Sequence, residues 1–146
     1  MFILITLFCG FIEYLTNRSH VKLNLGLTLF FAFVLIKIEN LELALLFILF
    51  AGFLPNLAIG NLDGRNLFAF PLLFIIIFFV FQIGVSYFIG ILSSLIYYSI
   101  LLFLSNKFNE SFPEKITEIL LPLTLNIIYF ISFFNPINSI IGKIIL

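Results

Sequence analysis

The chain has 146 residues, 63% of them hydrophobic and 10% charged, with a mean hydropathy of +1.29. Such a composition lies outside the soluble range and describes one membrane domain over residues 1–146, with no soluble domain beside it. The net charge of +0 offers no basic surface to nucleic acid, and the single cysteine, Cys9, excludes an internal disulfide and a cysteine metal cage.

Hydropathy predicts an all-α polytopic membrane protein, a bundle of about six short transmembrane helices, because a segment in lipid must satisfy its backbone groups internally. The first spans about 2–15 (Phe2 to Leu15). No basic stretch precedes it and Arg18 and Lys22 follow it, so it reads as a first span rather than a cleavable signal peptide. The second spans about 23–38 (Leu23 to Ile38); both are short for a full crossing. The third covers 41–59 (Leu41 to Ile59). From Leu67 to Leu104 no Asp, Glu, Lys, Arg or His occurs. That run is too long for one span and suits two. A break near Gln82, Ile83 and Gly84 divides it into a fourth helix at 70–81 (Phe70 to Phe81) and a fifth at 85–104 (Val85 to Leu104). The sixth spans 116–134 (Ile116 to Phe134), and Asn135 to Leu146 forms an interfacial piece or a frayed tail. A β-barrel would alternate polar and apolar positions, whereas Leu72 to Phe81 is apolar throughout.

An even number of spans puts both termini on one face. Arg18, Lys22, Arg65, Lys107 and Lys115 fall in loops on one side, Lys37 and Lys143 on the other. The positive-inside rule then makes the basic loops cytoplasmic and the termini external. The sequons at Asn17 and Asn109 lie in those same basic loops and read as chance.

Little of the polar inventory suggests chemistry. Glu13 is expected near the end of the first helix, close to Arg18 and His20, where it can anchor at headgroups or pair. Glu42 and Glu118 are expected in the first turns of the third and sixth helices, complementing the helix dipole. Asp63 is the only Asp and His20 the only His, both in loops. No acidic cluster for a divalent metal, no Gly-x-Ser-x-Gly and no Walker-type Gly-Lys-Ser/Thr occurs, so no catalytic, cofactor or metal residue is expected. Asn56, Gln82 and Asn126 are expected to face the bundle, since an amide in lipid goes unsatisfied. Pro55 and Pro122 suggest kinks, and Pro71 is tolerated in the first turn of the fourth helix. Ser86, Gly90 and Ser94 recur every four residues, with Ser93 beside them. They form a small-residue ridge, expected to pack within this bundle rather than on another protein. The 22 Phe are expected at lipid-facing and packing positions.

The segment Gly52-Phe53-Leu54-Pro55-Asn56-Leu57-Ala58-Ile59-Gly60-Asn61-Leu62-Asp63-Gly64-Arg65-Asn66-Leu67-Phe68-Ala69-Phe70 resembles the central motif of the MreD family of rod-shape-determining membrane proteins. There a helix ends in Gly-apolar-apolar-x-Asp, passes through a glycine-containing turn to a second glycine, and the next helix opens with Leu, Ala and Phe. Gly52, Gly60, Gly64, Ala69 and Phe70 match; Asn56 replaces the usual Asp, keeping its shape and losing its charge. The resemblance covers about 20 residues, with length and span count in agreement. It implies a noncatalytic membrane part of the bacterial elongation machinery, bound to MreC and indirectly to MreB, RodA and a transpeptidase, in the inner membrane. That family is drawn with cytoplasmic termini, against the charge count, and the orientation stays open. Its fold is similar to that of the vitamin-binding subunits (S-components) of energy-coupling-factor transporters, which supplies the alternative function.

Overall fold

The computed structural model describes residues 2–18, 26–38, 40–60, 64–108, 111–137 and 139. Among these residues there is no strand, and the chain runs through six helical segments: α1 (Phe2–Arg18), α2 (Leu27–Ile38), α3 (Leu41–Ile59), α4 (Gly64–Ile83), α5 (Tyr87–Lys107) and α6 (Phe112–Ser132). One further helical turn covers 134–137. Three segments, α3, α5 and α6, are long and apolar enough to cross a membrane; the other three are shorter in their apolar part. Large apolar side chains cover the outside, with Ile3 68% and Phe103 69% exposed, a surface that belongs in lipid rather than water.

Local chemistry sets the ends. The Asn40 side chain accepts from the Leu43 N–H at 2.9 Å and caps α3, and Ser86 caps α5 by accepting from the Ile89 N–H at 3.2 Å. Ser111 and Glu114 form a reciprocal capping box at the start of α6, the Ser111 N–H donating to the Glu114 carboxylate at 2.9 Å. Gly84 stands between α4 and α5 with φ +107°, a conformation open to glycine, which puts the break where the sequence expects it.

Helix α2 lies at the centre. Leu29, Phe30, Ala32, Phe33, Val34, Leu35 and Ile36 are all buried, and α2 packs against each of the other five segments. A helix apolar all round is one surrounded by protein. Its 12 residues span about 18 Å, well under a hydrocarbon core of about 30 Å. Phe130 of α6 enters this centre, its ring 5.1 Å from Phe33 and 5.3 Å from Phe30, edge to face. At one end of the bundle the Lys37 ammonium donates to the Val85 carbonyl at 3.2 Å and lies 6.0 Å from the Phe134 ring. The end of α2, the start of α5 and the residues after α6 are thereby tied together.

Both α3 and α6 open into π-helical turns, Ile48–Phe53 in α3 and Ile116–Leu120 in α6. The Leu54 N–H reaches back to the Leu49 carbonyl and the Leu121 N–H to that of Ile116, each five residues away. Each opening is followed by proline, Pro55 or Pro122. A proline ring strikes the carbonyl four residues back, here Ala51 or Glu118, and both carbonyls lie inside the widened turns that give the ring room. The expected kinks are thus helix openings with a shared cause.

Four expectations need correction. Helix α4 starts at Gly64, not Phe70, so Pro71 stands inside the helix rather than in its first turn. Its ring is exposed on the outer face, where a missing N–H is least disruptive to packing. Gln82 is exposed in the last turn of α4, where a helix end can reach the interface, and does not face the bundle. Because α6 begins at Phe112, Glu118 is not at its start: it is buried within the π-helical turn, and Glu114 occupies the dipole-complementing position. Finally, α5 begins at Tyr87 and ends at Lys107, since Ser86 supplies its cap.

Candidate functional site

Two features of the interior stand out, the corner between α3 and α4 and a set of polar side chains held between helices.

At the corner, the three motif glycines answer three different needs. Gly52 is buried where α3 passes α2 and α4; a β-carbon there would lie 3.1 Å from both Phe70 Cε1 and Thr28 Cγ2. Gly60 ends α3 in the left-handed region at φ +73° with open space around it, so its need is conformational. Gly64 is the first residue of α4. Its need is steric, because a β-carbon would meet the ring of Phe108 at 2.8 Å, bringing the start of α4 against the end of α5. Asp63 lies outside the described residues.

Asn56 belongs to both features. It is buried one residue after Pro55, and its side-chain NH₂ donates to the Gly52 carbonyl at 2.8 Å. It also hydrogen-bonds the carboxylate of Glu13 on α1. Glu13 shares a helix face with buried Cys9 four residues earlier and lies within electrostatic reach of Tyr98 on α5. Glu13 is half-buried and faces α3 and α5 near the end of α1, while its expected neighbours, the Arg18 side chain and His20, lie outside the described residues.

Asn126 is fully buried on α6. Its NH₂ faces the carbonyls of Gly26 and Pro122, each at 3.0 Å, and the Tyr98 hydroxyl oxygen at 3.2 Å. Two carbonyls dictate which way round the amide sits. The amide oxygen is left buried without a partner, set against three acceptors served by one NH₂. Gly26, at φ +67°, leads into α2, and a side chain there would run into this amide. The link crosses 100 residues of sequence and fixes the start of α2 to the middle of α6.

The ridge on α5 divides in use. Ser86 is the cap, whereas Gly90 and Ser94 are buried, with the Ser94 hydroxyl donating to the Gly90 carbonyl at 2.9 Å. Phe130 of α6 fills the space that a side chain at Gly90 would need. Among the described residues no three acidic, His or Cys side chains stand close enough to hold a metal ion.

Sequence reasoning named Asn56 and Asn126 as inward-facing but missed their partners, Glu13 and Tyr98, because helix contacts across 28 to 100 positions carry no local pattern. The capping box at Ser111 carried a readable Ser-x-x-Glu signal. No family model matches the chain, and no curated protein or solved structure matches it.

Proposed function

We propose that the chain is a noncatalytic six-span scaffold of the bacterial inner membrane, of the MreD kind, which binds MreC and through it serves cell elongation. The observation that carries this reading is the corner between α3 and α4, where Gly52, Gly60 and Gly64 each meet a separate geometric need. A segment selected for shape over catalysis is what a docking corner calls for. The shorter helices α1, α2 and α4 join the three longer ones as crossings, tied at their ends by Lys37 on one face and the contact of Gly64 with Phe108 on the other. MreB, RodA and a transpeptidase are indirect partners on this reading, and the Asn56 amide keeps the role of the family's carboxylate by hydrogen bonding instead of charge. The test is Gly64→Val in a cell that depends on the protein. MreC copurification should weaken and the cells should round while the protein stays in the membrane. Rod-shaped cells with an intact complex would reduce the corner to a connector.

A second reading, the S-component of an energy-coupling-factor transporter, draws on the unpartnered Asn126 oxygen in the bundle interior, a group that a bound small molecule could use. Copurifying ATPases would favour it.

A further inference from the structure

We draw no further inference here: the strongest candidate, the apolar groove of about 450 Å³ on the outer seam of α1 and α3, lined by Thr6, Gly10, Phe50 and Pro55, is an unpartnered apolar face, and nothing in the structure shows what covers it.

Discussion

Gly90 of α5 and Phe130 of α6 share one volume: the ring lies where a side chain at 90 would be, packed directly on the α5 backbone. Phe130 is fully buried among Phe30, Phe33 and Phe134, so the ring has no empty direction in which to yield. Gly90→Ala should therefore destabilise the bundle by about 1–3 kcal/mol, the usual range for overpacking. Phe130→Leu makes room and should recover part of that loss, so the double variant is more stable than the sum of the singles predicts. Reversible unfolding in mixed micelles, run as a double-mutant cycle, measures the coupling.

The Asn126 amide gives a graded series. Tyr98→Phe removes one of three acceptors and should cost little, about 0.5–1.5 kcal/mol. Asn126→Leu leaves the Gly26 and Pro122 carbonyls unserved and should cost about 1–3 kcal/mol. Asn126→Asp, nearly identical in shape, puts oxygen in place of the donor against two carbonyl oxygens and should be the worst of the three. If Asp is tolerated better than Leu, the amide has the opposite orientation. The same unfolding assay ranks them.

Gly60 and Gly64 should respond to different rescues. At Gly60 the difficulty is the left-handed backbone with open space around it, so Gly60→Asn should be mild and Gly60→Val should cost on the order of 1–3 kcal/mol. At Gly64 the difficulty is the ring of Phe108, so Gly64→Ala should be relieved by Phe108→Ala, which does nothing for Gly60→Val. Thermal aggregation of the purified protein, single against double variant, separates the two.

Cysteines at Asn40 and Phe112, in a Cys9→Ala background, should lie on opposite faces of the membrane, since α3, α4 and α5 separate them. An impermeant thiol reagent applied to intact cells should label one site and not the other. Labelling at both would remove one of the intervening crossings. Which one labels also settles the orientation that charge and family resemblance leave open.

The order of helices was readable because charge and glycine punctuate a lipid-soluble chain: the uncharged run from Leu67 to Leu104 breaks at Gly84, and Leu41–Ile59 keeps its predicted bounds. The start of α4 was not readable. Gly64, Arg65 and Asn66 have turn chemistry, and only tertiary contact with Phe108 shows why a helix begins there. The helix openings at Ile48 and Ile116 were visible only as prolines, since a local pattern does not say whether proline bends a helix or widens it. The pairings of Glu13 with Asn56 and of Asn126 with Gly26 depend on which helices become neighbours. Apolar side chains spread around every helix leave that choice unmarked in the sequence.

The most direct test of the account is to extract the tagged, full-length protein from its own membrane in a mild detergent and identify its stoichiometric partners. A scaffold of the MreD kind predicts MreC together with cell-wall synthases. Recovery instead of paired ATPases with a membrane coupling subunit would contradict it and assign the bundle to transport.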